Sequence, residues 1–221
     1  MSKKIYPDTG DDEVTYTYNR LGELLTKTDQ NGTVHTFHYS SLGQLIHDCV
    51  TTLGSGVDGA VRRISNTYDS HQRIATVTSW DDDSLTTGDE VNQVGYTYND
   101  FGQLILDQQE HVESIDGNTL SVGYSYDDGA SNSNTTRIKT VTYPSGHVMT
   151  RDYGTPGEMD DILSRPSSVK NGSNPYVNYQ YLGLGTPVAA TSPTPGISLT
   201  YVAQGSEPDL YGDPYNGLDW Y

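Results

Sequence analysis

Hydrophobic and aromatic residues alternate with polar residues along most of this chain. In four places a valine is followed by tyrosines two and four positions later, beginning at Val14, Val94, Val122 and Val177. Because successive side chains of a strand point to opposite faces, these three residues share one face, with Thr or Ser often opposite. The pattern therefore predicts β-strands that each carry one aromatic face.

Each of these strands is followed by a turn and a second strand. Residues 19–22 and 99–102 begin with Asn and end with Gly, which is typical of turns because Gly readily adopts a positive φ. Apolar residues resume at 24–26 and 104–106. The repeated unit is therefore predicted to be a β-hairpin.

Weaker copies fill the intervals between the clear ones, although Gln72 stands where the other turns have Gly. The last tyrosine of each copy recurs every 20 to 30 residues or so, the period of stacked repeat architectures. These tyrosines are Tyr18, Tyr39, Tyr68, Tyr98, Tyr126, Tyr153 and Tyr181. One hairpin cannot bury its own face, so neighbouring hairpins are expected to share a continuous sheet.

The copies resemble YD repeats, also called RHS repeats, in which Tyr-x-Tyr-Asp-x-x-Gly-x-Leu recurs. The match covers about residues 6–181, with Asn in place of Asp in two of the best copies. The residues that match the motif, and to which it implies a structural role, are Tyr16, Tyr18, Gly22, Leu24, Tyr39, Gly43, Leu45, Tyr68, Asp69, Tyr96, Tyr98, Gly102, Leu104, Tyr124, Tyr126 and Asp127. The resemblance implies a long antiparallel sheet that spirals into a hollow shell in large secreted or surface-attached proteins. In bacterial toxins of this kind the shell encloses a polypeptide, and other members are linked to carbohydrate binding and cell contact.

The sequence thus predicts an all-β fold of repeated antiparallel hairpins that form a spiralling open sheet. Residues 1–182 are predicted to hold about six to seven hairpin units. Residues 183–221, richer in Pro and Gly, are predicted to be a more divergent continuation. The chain is expected to be a piece of a longer array, since Tyr6-Pro7 begins partway into a unit and no capping element follows Gly217-Leu218.

Charge and cysteine content exclude several classes of function. The net charge of −17 disfavours nucleic acid and anionic membranes as partners. No apolar stretch approaches the length of a membrane span, so membrane insertion is not expected. Cys49 is the only cysteine, which excludes an internal disulfide and a thiolate metal cluster.

No motif predicts a cofactor, a metal or a catalytic site. Residues 54–59 satisfy G-x-G-x-x-G, but a repeat strand follows them where a dinucleotide site needs a helix. The acidic groups at 8–13 and 81–90 lack EF-hand spacing and are expected to be solvated loops. The six histidines form no H-E-x-x-H motif, and no nucleophile elbow is present. The chain is therefore expected not to be an enzyme.

The leading expectation is a non-enzymatic structural repeat scaffold, a segment of a large secreted or cell-surface protein that acts in shell formation, cargo (toxin) enclosure or adhesion. The alternative is a carbohydrate-binding surface, on which loop tyrosines and Trp80, expected in an exposed loop, would stack on sugars. A Ca²⁺-dependent hydrolase is a third class and would need clustered carboxylates in a cleft. The expected partners are neighbouring repeats of the parent chain, an enclosed polypeptide or a surface carbohydrate.

Overall fold

The chain forms two compact units, Met1–Ser121 and Val122–Tyr221. The computed structural model describes residues 2–5, 13–129, 134–201, 203–204 and 218–219. Both units consist of antiparallel strands, so the predicted all-β fold is confirmed. Within the described ranges the only helix is the single turn α1 (Met159–Ile162), and no helix there is long and apolar enough to cross a membrane.

Some sequence predictions fall outside the described residues. These are the Tyr6-Pro7 start, the acidic residues Asp8, Asp11 and Asp12, and Gly217 near the end. The domain boundary expected after residue 182 stays a prediction.

Strands of the first unit pair with one another in the order of the chain. They are β1 (Ser2–Ile5), β2 (Glu13–Tyr18), β3 (Leu24–Thr28), β4 (Val34–Tyr39), β5 (Leu45–Thr52), β6 (Arg63–Tyr68), β7 (Ile74–Trp80), β8 (Glu90–Tyr98) and β9 (Leu104–Glu110). Every pair is antiparallel. Because direction alternates along the sheet, the turns that close β2–β3, β4–β5, β6–β7 and β8–β9 all lie along one edge.

The four hairpins of this edge share one register. The last tyrosine of the first strand pairs with the first apolar residue of the second strand: Tyr18 with Leu24, Tyr39 with Leu45, Tyr68 with Ile74 and Tyr98 with Leu104. A β-bulge adjoins each of these pairs, so one extra residue is inserted at the same place every time. The recurring sequence thus specifies a recurring hairpin.

The second unit continues the same construction with more varied connections. Its strands are β10 (Ser121–Tyr126), β11 (Ile138–Thr142), β12 (Val148–Asp152), β13 (Ser168–Asn171), β14 (Asn174–Leu182), β15 (Thr186–Ser192), β16 (Ile197–Thr200), β17 (Ala203–Gln204) and β18 (Leu218–Asp219). Strands β10 to β16 pair in chain order, and β17 pairs with β18. Tyr126 pairs with Ile138 next to a bulge, as in the first unit.

The repeated hairpins have a tyrosine face and an opposite face rich in threonine and serine. On the latter, hydroxyl groups bond across the strands at 2.6 Å, in Thr17–Thr26, Thr67–Thr76 and Ser125–Thr140. Few hydrophobic residues are buried in the described part of the chain, namely Val14, Cys49, Val141, Tyr153 and Ala190. Cross-strand pairs and contacts between neighbouring hairpins therefore contribute more to this fold than a thick apolar core does.

Candidate functional site

The same five-residue turn closes each of the four hairpins of the first unit, and residues 99–103 show it clearly. The backbone N–H of Asn99 donates to the carbonyl of Gln103 (2.9 Å), and that of Gly102 donates to the carbonyl of Asn99 (3.0 Å). The Oδ1 atom of Asn99 accepts from the N–H groups of Phe101 (3.0 Å) and Gln103 (2.9 Å). The turn thus satisfies its own backbone donors through its first side chain, as Asx-turns do.

The first residue of the turn needs only a side-chain oxygen that can accept two N–H groups. Asn19, Ser40 and Asp69 accept the equivalent pairs at 2.8 to 3.2 Å. Asn, Ser and Asp all supply such an oxygen, which explains why the Tyr-Asp of the resembled motif is replaced so readily here. The pKa of Asp69 is lowered, first by the backbone N–H of Arg73 and then by its guanidinium and the N–H of His71.

The fourth residue of the turn has a positive φ. The values are 84° at Gly22, 78° at Gly43 and 80° at Gly102. Gln72 occupies the same position in the third turn and adopts a φ of 67°. A residue with a Cβ is strained there by about 1–2 kcal/mol. The third turn therefore adopts the shared geometry although Gln72 is strained in it.

The fifth residue joins one turn to the next. The guanidinium of Arg73 bonds to Asp69 Oδ2 of its own turn through Nε (2.7 Å) and Nη2 (2.6 Å). It also lies over the ring of Tyr98, 4.5 Å from the centroid, while Nη1 donates to the carbonyl of Asn99 (3.2 Å). One side chain thus contacts the acid of its own repeat and both the tyrosine and the turn of the following repeat.

Arg137 repeats this arrangement in the second unit. Its Nε donates to Asp127 Oδ2 (2.7 Å), its guanidinium lies 4.1 Å from the centroid of Tyr153, and Nη1 donates to the carbonyl of Asp161 (2.8 Å). Only 8% of the Arg137 side chain and 9% of the Asp127 side chain are exposed. Arg165 makes the third example, with Asp160 and Tyr181 as its carboxylate and ring.

Tyrosine hydroxyl groups add a second link between neighbouring hairpins. Tyr68 donates to the carbonyl of Leu45 (2.8 Å), and Tyr39 bonds to the backbone of Leu24. In the second unit Tyr153 donates to the carbonyl of Ile138 (2.9 Å). Burial raises the pKa of Tyr39 and Tyr153, and the Tyr153 hydroxyl keeps the proton that its bond uses. The last tyrosine of a copy therefore binds the start of the second strand in the copy before it.

The remaining motif residues occupy equivalent places in their own hairpins. Tyr16, Tyr96 and Tyr124 lie at mid-strand, opposite Lys27, Asp107 and Val141 respectively. Burial, and then the charge of Asp107, raises the pKa of Tyr96. The structure places the motif residues in linked turns and on neighbouring strands. Their structural role stays a prediction from the motif. The sequence analysis did not identify the fifth turn residue. Its sequence signal is a Gln or Arg directly after the position of the turn glycine, as at Gln44, Arg73 and Gln103.

A separate cavity of about 420 Å³ opens on the threonine face of the first unit. Arg63, Thr78, Trp80 and Gln93 line it together with the loop of residues 85–88. The expectation that Trp80 lies in an exposed loop is wrong, because Trp80 is the last residue of β7 and is half-buried beneath Arg63. Trp80 is therefore not placed to stack on a surface sugar.

The acidic loop that follows β7 uses its carboxylates to hold itself together. Asp82 accepts from the N–H of Ser84 (2.7 Å) and the hydroxyl of Thr87 (3.1 Å), bonds that lower its pKa. Asp81 accepts from the N–H of Asp89 (2.8 Å). Across the described ranges, no group of three or more acidic, His or Cys side chains is placed to hold a metal ion.

Comparisons with known proteins found similarity only among solved structures. No protein family and no curated protein matches the sequence. Among solved structures, the chain is similar to part of "TcdB2-TccC3", with 15% identity over 88% of this chain and a TM-score of 0.36. It is also similar to part of the Photorhabdus luminescens Tc holotoxin pore carrying TccC3-D651A, with 14% identity over 93% of this chain and a TM-score of 0.37. The chain spans 10% of the length of either of these proteins, and at such scores the likeness assigns no function.

Proposed function

We propose that this chain is a non-enzymatic structural scaffold, a segment of a large secreted or cell-surface YD-repeat protein. In that role its hairpins form part of a shell that encloses a polypeptide cargo or mediates adhesion. The observation that supports this best is the contact from turn to turn, in which Arg73 binds Asp69 in one repeat and Asn99 in the next. Linkage of each repeat to its nearest neighbour is the way a stacked array gains stability.

The tips of the turns support a polypeptide as the partner. The third turn residue is apolar in three of the four hairpins. Leu21 is 83% exposed, Leu42 70% and Phe101 84%. Neighbouring turns of this edge are two strands apart, roughly 10 Å, so the tips form a row along the sheet. Such a row suits contact with a neighbouring or enclosed segment of the parent protein.

A row of exposed aromatic side chains in the second unit favours the carbohydrate alternative. The ring of His147 lies 5.9 Å from those of both Tyr143 and Tyr176, centroid to centroid. Tyr143 and Tyr176 are 39% and 43% exposed. Flat aromatic faces of this kind can stack on sugar rings. Loss of sugar-array binding in Tyr176→Ala, with binding retained in Tyr18→Ala, would support this alternative.

The scaffold proposal is tested by removing one repeat. Deletion of residues 69–98 joins Tyr68 directly to Asn99, so that β6 takes the place of β8 beside β9 with the Asn99 turn intact. We expect this variant to keep a strand-dominated circular dichroism spectrum and cooperative unfolding. A matched deletion of residues 69–97 shifts the register by one residue, which exchanges the two faces of the strand and should unfold the unit.

The two deletions must therefore differ. Equal loss of structure in both would contradict a modular scaffold, because interchangeable repeats tolerate the removal of a whole copy.

A further inference from the structure

The cavity on the threonine face is not explained by the scaffold role. Strands β5 to β8 form its floor, where the hydroxyl groups of Thr67 and Thr76 bond to each other (2.6 Å) and that of Thr78 accepts from Gln93 (2.8 Å), and residues 85–88 close one wall. Its volume of about 420 Å³ falls within the range of small-molecule sites. The cavity is independent of the contacts between neighbouring turns.

Arg63 places a buried positive charge beside this cavity. Only 3% of the residue is exposed. Its guanidinium donates to the carbonyl of Thr87 through both Nη atoms (3.2 Å each) and to Ser65 Oγ through Nε (3.3 Å). In the described part of the chain no carboxylate lies within ion-pair distance of it. Asp82 lies close enough for the charge of Arg63 to help lower its pKa, but it makes no direct ion pair with Arg63, and guanidinium has five N–H donors to satisfy.

Trp80 adds a second unused donor at the same place. The guanidinium of Arg63 lies 4.5 Å from the centroid of the indole ring. The indole Nε1–H is buried and has no acceptor. His47, which also lines the cavity, supplies no negative charge, and burial followed by the charge of Arg63 lowers its pKa. Buried donors without acceptors in native proteins point to a bound water, ion or ligand.

We propose that this cavity binds a small hydroxylated carboxylate, the chemistry of a sugar acid. The carboxylate binds Arg63 and the indole N–H of Trp80, and the ligand hydroxyls bind the threonine row. Glu90 also lines the cavity, where it accepts from the hydroxyl of Ser114. Because Glu90 repels a dianion more than a monoanion, a carboxylate is favoured over phosphate.

Calorimetric titration with glucuronate, glucose and inorganic phosphate tests the proposal on the whole chain. Saturable binding of glucuronate, with glucose and phosphate at least tenfold weaker, is the expected result. In an NMR spectrum of ¹⁵N-labelled protein, glucuronate should shift the Trp80 indole N–H signal downfield as it gains an acceptor. That signal is assigned by its loss in Trp80→Phe.

Two substitutions locate the site. Arg63→Met should weaken glucuronate binding about 10- to 100-fold, since a hydrogen bond to a charged group is lost. Arg62→Met is the matched control, because Arg62 bonds to the carbonyl of Val50 and lines the neighbouring acidic loop instead. If Arg63→Met does not fold, Trp80→Phe keeps an aromatic ring beneath Arg63, removes the indole donor and should weaken binding about 3- to 10-fold.

Three outcomes overturn the proposal: no saturable glucuronate binding, equal binding of glucose, or tighter binding of phosphate. Equal weakening in Arg62→Met and Arg63→Met would overturn it as well. Each of these results is separate from the deletion test of the scaffold, which removes the cavity altogether.

Discussion

The turns at residues 69–73 and 99–103 have the same backbone and reach it by different means. In the second turn Gly102 adopts its φ of 80° without strain, and the Asn99 amide donates to Gln103 Oε1 at 2.6 Å. In the first turn Gln72 holds a φ of 67°, and the closing pair is the ion pair of Asp69 with Arg73. The two turns lie next to each other on one edge of the sheet.

The comparison shows that the repeat tolerates a strained residue where its fifth position gains contacts. Arg73 forms an ion pair with Asp69, lies over the ring of Tyr98 and donates to Asn99, whereas the neutral amide of Gln103 can form no ion pair with Asn99. The contacts that Arg73 makes with the following repeat therefore offset the strain of having Gln72 in place of glycine. Four changes test this account.

Gly102→Val should have the largest effect, a destabilisation of about 2 kcal/mol. A β-branched residue is strongly disfavoured at positive φ, and here the backbone conformation alone is responsible because Arg73 is no closer than 3.7 Å to an added Cβ. Urea unfolding measures the change. Gly117→Val is the control, since Gly117 has open space around it and lacks a positive φ. Equal losses in the two variants would contradict the assigned strain.

Arg73→Met should come next, with about 1 kcal/mol lost from the cation–π contact with Tyr98 alone. The loss should appear in both neighbouring turns, because Arg73 also donates to the carbonyl of Asn99. Hydrogen exchange at the amides of Gln72 and Gly102 reports on the two turns separately. Arg20→Met, at the exposed second position of its turn, is the control. Faster exchange at Gln72 alone would show that the two turns are not coupled.

Gln72→Gly should stabilise the chain by about 0.5 kcal/mol. Relief of the strain at φ 67° is worth about 1–2 kcal/mol, and the greater freedom of Gly in the unfolded chain offsets about 0.5–1 kcal/mol of it. Thermal unfolding of the variant beside the reverse change, Gly102→Gln, gives opposite signs if the two positions are equivalent. A lower melting temperature for Gln72→Gly would mean that the Gln side chain makes a contact of its own.

Acid should act on the turn that contains Asp69 and spare the turn that contains Asn99. The folded pKa of Asp69 is lowered, so its carboxylate stabilises the fold above the unfolded pKa of about 3.9, and this contribution is lost as pH falls through the folded value. The stability difference between the wild type and Asp69→Asn should therefore shrink between pH 6 and pH 3. For Asn99→Ser the difference should stay constant. Urea midpoints at both pH values measure this smallest effect.

The hairpins, their turns and the faces of their strands could be predicted from the sequence because these are local properties. Alternation places Tyr96 and Tyr98 on one face, and Asn99 with Gly102 specifies a turn in any context. The role of Arg73 could not be predicted in this way. Its partners Tyr98 and Asn99 lie 25 and 26 positions further along the chain, and no local pattern encodes that distance.

By itself the sequence determined the period of the array, the alternation along its strands and the turns that run from Asn to Gly. Only the tertiary structure decided that Trp80 lies beneath Arg63 and that the loop after β7 folds over the threonine face. Burial is a property of what packs nearby, and two residues 17 positions apart become neighbours only when β6 pairs with β7 in the register Arg63 to Trp80. Local propensity fixes the hairpin, whereas pairing between strands fixes the cavity.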